Sequence, residues 1–321
     1  MKEERQLLRL NNISMLDEKK KKLAEQLRAK SITQISFPED YLKFKEHENV
    51  EHRFIETRHG KTGIYIHKAK EIVNPTPVFI NIHGGGFVRP LIETNSNFCS
   101  RICTEIKGVV IDIDYKLSPE YQFPVALEES YDVVKWVFDH AYEFGSNERL
   151  IALGGHSAGA NQTASITLMA NQTKDFRLGL QILDFGCFDM ATDPTEKTDT
   201  KGNILPFDRM RAFTTCYTND DPETVRNPYV SQIFAPDGWF PGLPSALIIT
   251  GGNDLFRTEA EDYGMRLVRN GVKVTMERFP DSPHGFTVNC NGKWREAQQL
   301  IINTLRNFYS EEVDAVGGIK N

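Results

Sequence analysis

The stretch Leu150–Ala160, read Leu-Ile-Ala-Leu-Gly-Gly-His-Ser-Ala-Gly-Ala, constrains the fold more than any other part of this 321-residue chain. Four apolar residues, Leu150 to Leu153, run into glycines and then meet Ser157, and a helix-compatible run, Gln162–Ala170, follows. That order predicts a buried strand, a sharp corner and a helix. Gly155 and Gly159 stand two residues either side of the serine. A strand-to-helix turn this tight brings backbones together, and only residues without a Cβ fit there. Such a corner lifts the serine hydroxyl clear of the sheet edge. The helix behind it aims unpaired N–H groups at any negative charge that develops.

The rest of the chain alternates in the same way. Arg53–Glu56 and Gly63–Ile66 read as an early hairpin pair, and Val78–Ile82 as a strand ending at His83-Gly84-Gly85-Gly86. A helix near Asn97–Ile106 precedes the strand Val109–Tyr115, and Pro124 opens a long helix from Val125 to about His140. After the serine corner come a strand at Leu178–Leu183, one at Pro244–Thr250, a helix over Thr258–Asn270, a last strand at Val272–Phe279 and a final helix from Lys293 to Tyr309. Strands alternating with helices predict an α/β fold, a mostly parallel sheet covered on both faces. Residues 187–235 break the alternation, and a stretch of that length between strands predicts an insertion with its own helices. Residues 1–45 are lysine-rich, with Leu16, Leu23 and Leu27 on one expected helical stripe.

Charge and cysteine usage narrow the class. A net charge of -6 argues against nucleic acid or an anionic membrane as the main partner. No apolar run reaches the roughly 18 residues that a membrane span requires. The charged start, Met1-Lys2-Glu3-Glu4-Arg5, leads into no apolar signal core. Five cysteines, an odd number without metal-type pairing, read as reduced thiols, so a cytoplasmic protein is expected. Cys99 and Cys103, four apart on one helix face, read as core rather than zinc ligands.

A serine hydroxyl is a poor nucleophile unless a base takes its proton. In a strand–serine–helix architecture the partners follow in the order serine, acid, histidine. Of eight histidines only His284 lies downstream of Ser157, in the loop Asp281-Ser282-Pro283-His284-Gly285-Phe286. Among the intervening acids Asp254 directly follows the strand that ends at Thr250, the position from which it would fix the imidazole. Asp281 is the rival, close enough to His284 to be a turn residue, and Glu259 reads as stabilising a helix start. The amides of Gly85, Gly86 and Ala158 would hold an oxyanion. His83 precedes the serine and reads as structural. His156 should point away from Ser157 at such a corner.

Together, His83-Gly84-Gly85-Gly86-Phe87, Asp114-Tyr115-Lys116-Leu117-Ser118-Pro119-Glu120, Gly155-His156-Ser157-Ala158-Gly159 and Asp281–Phe286 resemble the hormone-sensitive-lipase-like esterases of the α/β-hydrolase fold. The resemblance runs from about Glu51 to Tyr309, and Asn227-Pro228-Tyr229-Val230-Ser231 also fits it. It implies a serine carboxylesterase acting on small-molecule, short-acyl esters, needing no cofactor and no metal. It also implies a cap built from residues 1–45 and an insertion at about 187–235 over a catalytic domain at 46–321. The chain departs from the pattern at His156 and Ala160, where Asp and Gly are common, and at Lys116 and Ser118, where Arg and Ala are. Gly-His-Ser-Ala-Gly-Ala is also similar to formamidases and small feruloyl- or acetyl-esterases, so an amide-cleaving formamidase-like hydrolase is an alternative. A non-catalytic small-molecule receptor on the same scaffold is another. Retention of Ser157, Asp254 and His284 speaks against it. Oligomeric state is open, a homodimer included.

Overall fold

Strands whose residues are apolar on both faces need cover on both sides, and helices supply it here. The computed structural model describes residues 18–29, 36–197, 202–203 and 205–317. In chain order they form α1 (18–29), α2 (Glu39–Leu42), β1 (Glu48–Thr57), β2 (Gly60–Ala69), β3 (Val78–Ile82), α3 (Glu93–Ile106), β4 (Val109–Asp114), α4 (Val125–Asp139), β5 (Ile151–His156), α5 (Ala158–Thr173), β6 (Leu180–Asp184), α6 (Phe207–Thr218), α7 (Pro222–Val225), β7 (Ser245–Asn253), α8 (Arg257–Arg269), β8 (Val274–Pro283) and α9 (Trp294–Gly317). The eight strands make one sheet in the order β1-β2-β4-β3-β5-β6-β7-β8. β1 and β2 are antiparallel to each other and β2 is antiparallel to β4; every later pairing is parallel. This is the α/β-hydrolase fold.

The two-residue period of a strand sorts the core. Val78, Ile80 and Ile82 of β3 pack with Ile111 of β4, Leu153 of β5 and Val133, Val134 and Val137 of α4. Phe79, Val110, Ala152 and Leu247 point the other way, to Phe98 and Ile102 of α3 and Ile301, Ile302 and Leu305 of α9. Each such fully buried side chain contributes roughly 2 kcal/mol.

At the corner between β5 and α5 the steric expectation holds in numbers. A Cβ on Gly159 would lie 1.9 Å from the Ile82 carbonyl oxygen, and one on Gly155 would lie 2.5 Å from the Gly159 carbonyl carbon. Gly159→Ala is therefore expected to cost about 3 kcal/mol, because backbone rather than a side-chain tip must move. Thermal unfolding of the variant checks this; an unchanged Tm would contradict it.

Several boundaries differ from expectation. β8 runs on to Pro283 instead of ending at Phe279. A proline is tolerated because β8 lies at the sheet edge. Gly252, where a Cβ would meet the Pro280 oxygen at 1.8 Å, lets β7 approach past a register shift at Gly251/Asn253. α3 begins at Glu93 and α9 continues to Gly317, beyond the sequence-based limits.

Of the expected amphipathic stripe near the N-terminus, Leu16 lies outside the described residues. Ala24 and Leu27 are buried against Val88, Met210, Phe213 and Cys216, with Leu23 packed beside them. Arg28 of the same helix donates to the Val88 oxygen (3.0 Å) and the Ser118 oxygen (3.1 Å) and pairs with Glu120 (2.6 Å). α1 is thus fastened to α6 and to the two loops that follow β3 and β4.

Candidate active site

The strand ends deliver the site. Ser157 follows β5 with φ 53° and ψ -114°, a left-handed conformation rare for a residue with a Cβ. Its own amide is held by the Asp184 carbonyl at 2.9 Å, and Asn161 N closes the first turn of α5 on the Ser157 oxygen at 3.0 Å. The hydroxyl faces a cavity of about 330 Å³ lined by Gly84, Gly85, Gly86, Phe185, Phe213 and His284 among others.

His284 reaches this point from the loop after β8. Its Nε2 lies 2.9 Å from Ser157 Oγ, and its Nδ1 lies 2.8 Å from Asp254 Oδ2. An ionised carboxylate only accepts, so Nδ1 carries the proton and Nε2 presents its lone pair to the serine hydroxyl. Asp254 is buried just past β7, and its other oxygen accepts from the Phe256 amide at 3.0 Å. Phe185 and Phe256 bracket the imidazole edge-on, with ring centroids 4.9 and 5.3 Å away. The three side chains named from sequence order therefore meet in one place. Asp281, the rival acid, is exposed on β8.

The glycine loop after β3 crosses directly over the corner. A Cβ on Gly84 would sit 2.8 Å from the His156 oxygen and 3.4 Å from Ser157 Cβ. Gly85 and Gly86 have φ of 116° and 62°. Gly85 uses its carbonyl to hold Val88 and Arg89 (3.2 and 3.0 Å). Among the described residues the amides of Gly85, Gly86 and Ala158 donate to no backbone carbonyl outside the helices and strands. Ala158 is the first residue of α5, whose amide has no partner inside the helix.

His83 stacks on Tyr115 at 4.2 Å, and Tyr115 donates to the His83 oxygen. Burial pushes His83 down to about 4, so it stays neutral and structural. His156 points away from Ser157, with Nδ1 2.7 Å from Asp184 Oδ2. Thr287 also donates to that oxygen. Asp184 was not anticipated; an acid directly after the strand read over Leu178–Leu183 was the available signal. This buried pair sits beneath the corner and ties the His284 loop to it through Thr287.

Glu259 departs from its expected role. It lies in the first turn of α8, but its oxygens accept from the Phe188 and Asp189 amides (2.7 and 3.2 Å) and pair with Lys197. Burial raises its carboxyl to about 7, against the lowering effect of Lys197. Of the aromatic residues in 187–235, Phe213 lines the cavity, whereas Tyr217 is stacked on Phe87 at 3.7 Å. Among the described residues one group has metal-ligand types together: His67, Cys99 and Asp112, all buried under α3. Their polar atoms serve the core, with His67 on Glu48 (2.8 Å) and Asp112 on Asn81 (2.7 Å). Burial holds the Cys99 thiol well above its usual range.

Residues 79–288 match the family described as alpha/beta hydrolase fold. The chain belongs to that family. It falls in the hormone-sensitive-lipase-like esterase branch, the branch its motifs resemble. A protein of Schizosaccharomyces pombe named as an AB hydrolase superfamily protein is 32% identical over 65% of this chain and 62% of its own length. The aligned part is thus less than two thirds of that relative. The arylesterase of Saccharolobus solfataricus is 30% identical over 70% of this chain and 71% of its own. The solved hyperthermophilic esterase of Pyrobaculum calidifontis superposes with a TM-score of 0.78 at 29% identity, covering 92% of this chain and 96% of that one. No helix among the described residues is long and apolar enough to cross a membrane.

Proposed function

We propose that the chain is a serine carboxylesterase that hydrolyses small, short-acyl esters through an acyl-enzyme. The observation that carries this reading is the pair of contacts on His284: 2.9 Å to Ser157 Oγ on one nitrogen and 2.8 Å to Asp254 on the other. His284 takes the hydroxyl proton as Ser157 Oγ attacks the ester carbonyl carbon. The carbonyl oxygen becomes negative, and the amides of Gly85, Gly86 and Ala158 stabilise it. Collapse breaks the carbon–alkoxide bond, and the imidazolium returns the proton to the leaving alcohol. His284 then deprotonates water, which attacks the acyl-serine and releases the acid. Asp254 holds the tautomer and offsets the imidazolium charge throughout. The arylesterase and esterase relatives support ester over amide substrates.

The cavity volume, about 330 Å³, lies at the small end of the roughly 300–1,000 Å³ range of small-molecule sites and supports short acyl chains. We further propose that α1 with residues 187–235 forms a cap, supported by the packing of α1 on α6 across the cavity wall. The test is a p-nitrophenyl ester series from acetate to palmitate, with and without a serine-directed organophosphate. Highest kcat/KM at acetate or butyrate, abolished by the organophosphate, is expected. A maximum at palmitate would overturn the short-acyl assignment, and activity insensitive to the organophosphate would overturn the serine mechanism. Faster cleavage of matched N-formyl amides would favour the formamidase alternative.

A further inference from the structure

Asp184 connects the corner that carries Ser157 to the loop that carries His284. Its carbonyl holds the Ser157 amide at 2.9 Å. Its side-chain Oδ2 lies 2.7 Å from Nδ1 of His156, the residue before the serine. The same oxygen accepts from the hydroxyl of Thr287, which follows His284 at the third position. Against a carboxylate acceptor the His156 proton sits on Nδ1. Thr287 is gripped from its far side too, where Gln298 Nε2 of α9 donates to its carbonyl oxygen at 2.6 Å. One side chain therefore holds both the β5–α5 corner and the His284 loop.

The arrangement is unfavourable for stability alone. Asp184, His156 and Thr287 are all buried. Among the described residues Asp184 Oδ1 and His156 Nε2 have no hydrogen-bond partner. Buried polar atoms left in this way are destabilising, and apolar residues of similar volume would be as stable or more so. Phe185, the next residue, has a φ of 38°, which a residue with a Cβ keeps only where its surroundings impose it. This backbone sets the Phe185 ring centre 4.9 Å from that of His284 and 5.8 Å from that of His156. Ser157 is strained likewise. Backbone strain and unpaired polar atoms gather where geometry serves chemistry.

Neither Asp184 nor Thr287 lines the cavity, so their contacts act on turnover only through Ser157 and His284. Asp254 orients the imidazole from the end of β7, whereas Asp184 is bonded on both sides of the Ser157–His284 gap. The glycine loop is braced separately, by Phe213 of α6, whose ring lies 2.4 Å from where a Cβ on Gly86 would sit. We propose that Asp184, through Thr287 and His156, is a positioning residue that sets the reach of His284 Nε2 to Ser157 Oγ. The proposal rests on the serine esterase reading and names what keeps its two reacting groups in register. No proton leaves the Asp184–His156 pair during the reaction.

Thr287→Val tests it, because it removes the hydroxyl and keeps the shape. Its kcat for p-nitrophenyl butyrate should fall at least about tenfold, within the roughly hundredfold that a misplacement of about 1 Å costs. KM should stay unchanged, since nothing that touches the substrate is altered. Thr287→Ser, which keeps the donor, should restore kcat. A serine-directed organophosphate should label every Thr287→Val molecule, at least about tenfold more slowly than wild type, because attack by Ser157 needs the same imidazole. A structural role alone predicts a different pattern: a lower Tm, a smaller labelled fraction and an unchanged rate for the molecules that do label. That pattern, or wild-type kcat in folded Thr287→Val, would overturn the proposal and leave the esterase reading intact. If the valine variant does not fold, Thr287→Cys, similar in shape with a weak donor, takes its place. Failure of the wild-type protein to turn over any ester would overturn the esterase reading and this one with it.

Discussion

Ser157→Ala is expected to lower kcat for p-nitrophenyl butyrate roughly a million-fold, the scale seen when the nucleophile of a serine triad acting as a unit is removed. In the proposed mechanism the hydroxyl is the atom that bonds to the acyl carbon, and among the described residues no other side chain is held against the His284 Nε2. The protein should still fold. The strained φ of 53° at this position is set by the corner and by the Asp184 carbonyl on its amide, both of which alanine keeps. Thermal unfolding at an unchanged temperature alongside lost turnover is the expected pair of results. Retained turnover in a folded variant would remove Ser157 from the mechanism.

The second large effect is expected at Asp254. Asp254→Asn should reduce kcat about ten-thousand-fold, the loss measured in the best-studied triad. The carboxylate accepts from His284 Nδ1 at 2.8 Å and from the Phe256 amide at 3.0 Å. An amide in its place offers N–H where the imidazole needs an acceptor. That favours the tautomer in which Nε2 carries the proton and has no lone pair for the serine. Asp281→Asn, at an exposed position on β8, should leave kcat within about twofold, as surface substitutions commonly do. If the loss instead followed Asp281→Asn, the orienting acid would have been assigned to the wrong residue.

The contacts among Ser157, Asp254 and His284 were legible because chain order in a parallel sheet restricts which loops reach a given strand end. With the serine after β5 and the acid after β7, only a histidine beyond β8 satisfies the order, and the sequence holds one. The alternation of strands and helices was legible for a similar reason, since strands apolar on both faces imply helices on both faces. Boundaries were less so. Pro280 reads as a strand terminator, yet the edge position of β8 and the missing side chain of Gly252 let pairing continue to Pro283. Contacts between distant, irregular segments left no local pattern to read. Glu259 looks like a helix-start residue in sequence, and nothing around it announces Lys197 or the Phe188 amide.

The ring of Phe213 occupying the missing side chain of Gly86 has a mechanical consequence. The glycine loop has no bulk of its own to hold its left-handed glycines in shape, so α6 serves as its outer wall. A helix that lines the pocket therefore also braces the amides at which, in the proposed mechanism, negative charge would gather. Exchanging that helix for another, by engineering or by descent, would alter reaction speed and choice of substrate in a single stroke.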